Sequence, residues 1–225
     1  MIDTTQTAID EIPYFPAPAP AVFSDPAASR ALFLPVLHAL STVVAPGDDP
    51  ARPTPCRGFS LGQLRDHTLG WLQHFADALA DPESTVPRDD PTTYTVADDP
   101  RPPAEVVLDS ARRIEDALAS GVLARRVVMS QSVMDGSAVV AMALGEYLVH
   151  GWDLARSTGR PWAPSADACN AAREFLEAMI TPDYRAAAGE DGPDTFFGPE
   201  VLVAADAPAL DRLLGFAGRD PGWTA

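Results

Sequence analysis

The nine residues GEYLVHGWD, 145–153, set Glu146, His150 and Asp153 inside a stretch that is otherwise apolar or aromatic. On a helix advancing about 100° per residue, Glu146 and His150 fall one turn apart on one face, with Asp153 close to the same line. A carboxylate on a buried helix is neutralised, paired or bound to a metal, because leaving it bare costs several kcal/mol. Glu and His at this spacing have Cβ atoms about 5–6 Å apart and can reach a common ion. The same spacing describes a salt bridge or a buried hydrogen-bonded pair, and spacing alone leaves those readings open. A divalent ion needs a third ligand from a facing helix. The segment LRDHTLGWLQHF offers His67 and His74 with Trp71 between them. Two turns, roughly 10 Å, separate the two histidines, so only one can serve, and His67 is the nearer to the preceding loop. Two neutral imidazoles and one carboxylate leave a divalent ion net positive with open coordination positions, a catalytic rather than a closed structural donor set. It suits activation of a thiol or water on zinc, and equally a non-haem Fe(II) centre.

Around this set stand further candidates. Asp153 either orients a ligand by a hydrogen bond or pairs with Arg156 or Arg160. Trp71, His74 and Tyr147 are expected to wall the pocket or pack beside it, and Trp152 to pack. Cys56 reads as a fourth ligand, a nucleophile or a buried unreactive thiol. Arg65, Arg212 and Arg219 have the chemistry to hold a carboxylate-bearing substrate, but nothing in the sequence places them at the cavity. His38 reads as a surface or packing residue.

Positioning these groups requires helices. Residues 1–24, ending in YFPAPAPAVF, form an extended proline-rich arm ahead of a helical domain over 25–225. Helix 1 is expected over about 25–45, with Ser24 or Asp25 capping and Pro26 in the first turn. Ser60 and Gln63 form a capping-box pattern for helix 2, which ends near Asp81-Pro82. The acidic, proline-rich 82–103 reads as a long loop, and helix 3 as 103–120. Residues 126–134, RVVMSQSVM, read as one strand or an extended segment, closed by a turn at Asp135-Gly136. Helix 4 spans about Ser137 to Thr158, stopped by Gly159, and helix 5 about 165–180. A loop then leads to a last helix at about 207–217. The sum is an all-α bundle with long crossovers.

Composition narrows the partners. A formal charge of -16 repels nucleic acid and anionic membrane alike, and no basic patch counters it. The longest apolar candidate for a membrane span, near Val139–Leu154, is broken by Glu146, His150 and Asp153. Two cysteines are too few for a disulfide framework, and the first residues have neither a basic nor an apolar leader pattern. A cytoplasmic protein acting on a small molecule is expected, with its oligomeric state left open.

Three motifs, in order, carry a resemblance. MDGSAVVAMALGEYLVHGWDLARSTGRPW, PTPCRGFSLGQLRDHTLG and FGPEVLVAADAPALDRLLGFAGRDPGW are similar to elements of the mycothiol-dependent maleylpyruvate isomerase N-terminal family, within the DinB-like metal-binding superfamily, in its single-domain actinobacterial branch. The likeness covers about 25–225. It implies a DinB-like four-helix bundle with extra C-terminal helices, and His67, Glu146 and His150 as ligands, normally around zinc. Phe59 stands where the family commonly has Trp. The activity implied is that of a mycothiol-dependent transferase or isomerase acting on an electrophilic small molecule. A non-catalytic metal or ligand carrier, a metal-dependent hydrolase and an Fe(II) enzyme are the alternatives for the same triad.

Overall fold

The structure, a computed structural model, describes residues 12–45, 47–181, 185 and 197–224. Its helices are α1 (Pro26–Val43), α2 (Leu61–Ala80), α3 (Pro103–Ala119), α4 (Gly136–Thr158), α5 (Ala166–Met179) and α6 (Ala209–Phe216). Their ends follow local chemistry. The Asp25 side chain accepts from the Ala27 amide at the start of α1, and Ser60 and Gln63 satisfy each other's backbone in a full capping box on α2. Ser165 accepts from Ala168 to start α5. Gly159 ends α4 at φ 69, a left-handed position that glycine takes without steric cost. Pro35 sits inside α1 on its exposed side, so the carbonyl one turn back that it cannot bond faces water.

α1 packs on α3 and α4, and α2 packs on the same two helices. The four therefore run round the bundle in the order α1, α3, α2, α4, which puts α1 diagonally opposite α2 and α3 opposite α4, so the connections at 44–60 and 120–135 cross the bundle while 81–102 joins the neighbours α2 and α3. α2 and α4, the two helices that carry the candidate ligands, are neighbours. α5 covers α4, and α6 covers α5. The central core includes Phe33, Leu37, Leu64, Leu72, Ile114, Leu144, Tyr147 and Phe175, all essentially fully buried. Each side chain of this size contributes about 1.5–3 kcal/mol of hydrophobic stabilisation. No helix among the described residues is long and apolar enough to cross a membrane.

The segment 126–134 differs from its expectation. It is a hairpin of two short antiparallel strands, β1 (Arg126–Met129) and β2 (Ser132–Asp135), in register Arg126 to Asp135 and Met129 to Ser132. The turn lies at Ser130-Gln131, with Ser130 at φ 50, and Asp135-Gly136 instead passes straight from β2 into α4. No Gly or Asn marks the reversal, so the turn has no residue of the kind that announces one. Of the N-terminal arm, residues 1–11 lie outside the described residues. Beyond them, the Phe15 amide donates to the Val133 carbonyl and the Val133 amide to that of Pro13. Phe23, in a short 3-10 turn over Ala21–Ser24, is fully buried. The loop expected between helix 5 and the last helix lies in large part outside the described residues, and 197–208 is irregular.

Candidate metal centre

Between Ala138 and Ala155 every residue of α4 is buried except Met142 and Glu146. These two stand one turn apart, so a helix otherwise enclosed on all sides opens toward solvent along a single line. Glu146 is at the end of that opening. Its side chain is 29 % exposed, and that of His67, facing it from α2, is 26 % exposed. His67 Nε2 lies 3.3 Å from Glu146 Oε1, and His150 Nε2 lies 3.1 Å from the same oxygen. The two imidazole rings are edge to face with centroids 5.1 Å apart. One ligand atom from each of the three residues falls within 4.8 Å of the other two. The expected convergence of α2 and α4 side chains on one point is thus present in the geometry.

A second layer holds His150 from behind. Its Nδ1–H donates to Asp153 Oδ2 at 3.0 Å, which leaves Nε2 as the nitrogen that faces the triad. Asp153 is fully buried and takes a second hydrogen bond, from Arg219 NH2 at 3.2 Å. Arg219 also donates to Cys56 Sγ at 3.2 Å and to the Ala217 carbonyl. Cys56, His150 and Asp153 form a second trio within ligand distance, sharing His150 with the first. The Arg219 guanidinium occupies the flank of this inner trio and supplies its positive charge, so the cation of the inner layer is part of the chain.

Electrostatics follow the geometry. Burial pushes the Glu146 carboxyl up, but the charge of His150 and hydrogen bonds from both histidines outweigh it and hold the group well below the usual carboxylate range. Burial likewise works against a charged His150, and Glu146, Asp153 and Cys56 reverse this, raising its pKa well above the ordinary histidine value. Without a metal, a proton on His150 offsets the charge of Glu146, while Arg219 offsets that of Asp153.

The remaining sequence candidates divide. Phe59 and Trp71 flank His67, with ring centroids at 5.1 and 6.4 Å, and wall the mouth of the site. Trp71 also meets His74 edge-on at 5.4 Å, but His74 lines a different cleft, bounded by the 89–101 loop. Tyr147 packs against Phe33 and Phe75, fully buried, with no hydrogen-bond partner for its hydroxyl. Trp152 is buried, and His38 is exposed on α1. Of the three arginines considered for substrate, Arg65 binds the Ala45 carbonyl and Asp48, and Arg212 binds Asn170. Only Arg219 reaches the centre, and it does so behind a ligand candidate. Arg156 and Arg160 turn elsewhere, to the Trp223 carbonyl and to Asp48. The sequence offers Arg219 only as a candidate for a substrate carboxylate; its contact with Asp153, 66 residues away in the chain, has no signal in the sequence.

Residues 33–155 match the mycothiol maleylpyruvate isomerase N-terminal domain, more than half of the chain. The chain belongs to that family. The match takes in His67, Glu146, His150 and Asp153 and stops short of Arg219. Two uncharacterized proteins of Mycobacterium tuberculosis, from strains CDC 1551 / Oshkosh and ATCC 25618 / H37Rv, are each 23% identical over 173 residues, covering 74% of this chain and 83% of theirs. No solved structure gives a significant match.

Proposed function

We propose that His67, Glu146 and His150 hold a divalent metal ion, zinc as the first expectation, and that this family member is a mycothiol-dependent transferase or isomerase acting on an electrophilic small molecule. The observation that carries the reading is the meeting of two imidazole Nε2 atoms and one carboxylate oxygen within ligand distance, with Asp153 fixing the tautomer of His150. Such a donor set fits a borderline-soft divalent cation.

When bound, such an ion supplies Lewis acidity that brings a coordinated thiol or water to its anionic form near neutral pH. The chain's own groups do the rest. Glu146 offsets one positive charge and leaves the other to act on substrate. His150 is held rigidly by Asp153, and His67, partly exposed, borders the opening. Phe59 and Trp71 border that opening with apolar surface beside His67. The acidic surface disfavours anionic macromolecules as partners and is consistent with a small-molecule substrate.

The test is metal analysis of the purified chain, zinc titration of wild type and of Glu146→Gln, and a screen of electrophiles with and without mycothiol. Zinc bound one per chain, lost in Glu146→Gln together with thiol-dependent consumption, is the expected result. Turnover without any thiol indicates a hydrolase, co-purified iron indicates an Fe(II) enzyme, and binding without turnover indicates a carrier. Undiminished zinc affinity in both His150→Ala and Glu146→Gln removes the metal site itself.

A further inference from the structure

Two turns along α2 from His67 lies a cleft of about 490 Å³ between that helix and the 89–101 loop. It is held open by specific contacts. The Val96 amide donates to Asp66, and Pro91 packs so closely on Gly70 that a Cβ there would come within 2.2 Å of the Pro91 carbonyl oxygen. Five aspartates and one arginine line it. Two of these aspartates are balanced: Asp99 by Arg101, and Asp77 by Arg113. Asp90 and Asp98 accept only from neutral donors, the amide and hydroxyl of Thr92 and the hydroxyl of Thr95. Asp89 makes no ion pair among the described residues. Three negative charges therefore face the cleft without a counter-charge.

The deep wall of the same cleft is His74. It is 6 % exposed, its ring meets Trp71 edge-on, and no side chain bonds either ring nitrogen; the Asp89 backbone is close enough to one of them to favour its N–H, which leaves the other without a partner. A buried polar group left unpaired is costly, and one lining an open cleft is suited to a ligand that completes it. Burial, and then the nearby Arg88, disfavour its protonation, so the ring keeps a lone pair that accepts from an N–H donor. The carboxylates are too far apart to share one small ion: among the described residues, the only trios within ligand distance are the two at His150. Separated negative charges with an acceptor at the base match a molecule carrying separated ammonium groups.

We propose that this cleft binds an aliphatic polyamine, with one ammonium group donating to His74 and the others facing Asp89, Asp90 and Asp98. The site is independent of the metal centre and of its chemistry.

Calorimetry with spermidine on the full chain at low ionic strength, together with the imidazole NMR signals of its four histidines, tests this. Saturable one-to-one binding that moves the His74 signals is expected. Asp89→Asn with Asp98→Asn should weaken it by roughly tenfold or more, whereas the charge-matched pair Asp116→Asn with Glu174→Gln should leave it unchanged. His74→Gln, which retains an acceptor, should bind better than His74→Phe. No saturable binding, equal loss in both charge-matched pairs (diffuse counter-ion association), unmoved His74 signals, or the same His74 shift with magnesium ion alone each overturns the proposal. The two exposed aspartate substitutions keep the test decisive if a His74 variant fails to fold.

Discussion

His150 presents its two ring nitrogens to two different carboxylates, Nδ1 to Asp153 at 3.0 Å and Nε2 to Glu146 at 3.1 Å. The first contact fixes where the second points. Removing the charge of Asp153 while keeping its shape should therefore loosen a bound metal without dismantling the triad. Asp153→Asn is expected to lower zinc affinity by about 10- to 100-fold, read by competition with a chromophoric chelator, with the helical circular dichroism unchanged. Wild-type affinity in that variant would falsify the orienting role.

The pH dependence of stability should differ between the metal-free and metal-loaded chains. For His150 the folded pKa is raised above the ordinary 6.5, so its contribution is complete below that value and is lost as pH rises through the folded pKa. For Glu146 the folded pKa lies below the ordinary 4.5, so its contribution is present above that value and is lost as pH falls through the folded pKa. Both contributions are complete between 4.5 and 6.5. A metal, in contrast, must displace the His150 proton, so its stabilisation grows with pH. The gap in melting temperature between zinc-loaded and chelator-treated protein should widen as pH climbs above 6.5. A gap that does not change with pH contradicts His150 as a ligand.

Among the described residues Arg219 is the only counter-charge to Asp153 other than His150 itself, and its side chain is 10% exposed. Arg219→Met leaves a buried carboxylate short of its partner and should destabilise the fold by roughly 3–5 kcal/mol. Urea unfolding measures this. The double variant Arg219→Met with Asp153→Asn should regain part of the loss, because no charge then remains to be compensated.

Two glycines of α4 should respond in opposite directions. A Cβ on Gly145 meets the Leu176 side chain at 3.6 Å, ordinary contact, so Gly145→Ala should stabilise the helix by about 0.5–1 kcal/mol. A Cβ on Gly151 would come within 2.2 Å of the Trp162 ring, so Gly151→Ala should cost about 1–3 kcal/mol. Denaturant midpoints of the two variants decide the pair. Because Gly151 adjoins His150, its substitution should weaken zinc binding as well.

Legibility in the sequence followed the range of the interactions. Asp25, Ser60 with Gln63, and Gly159 act within one turn of their own position, and the helix ends they mark lie within about two residues of expectation. His67, Glu146 and His150 were candidates by helical spacing, which left a salt bridge equally open, and the set of three rested on the resemblance of the motifs that carry them. The Ser130 turn was hidden because its conformation is imposed by the pairing of β1 with β2 and not by a turn-forming residue. His74 and Tyr147 were grouped with the pocket by periodicity. A helix face, however, spans two neighbours, and only coordinates separate the side lining the 89–101 cleft from the side at Glu146, or turn Tyr147 inward to Phe33. Arg219 had no local signal at all.

The Arg219 contact has an evolutionary corollary. The region matching the family ends at residue 155, yet the group that secures Asp153 comes from beyond it. Two relatives can thus share an identical set of three ligands and still differ in how firmly one of them is held. Exchanging their C-terminal segments would retune the reactivity of an unchanged centre, leaving selection a dial on the chemistry that touches none of the residues performing it.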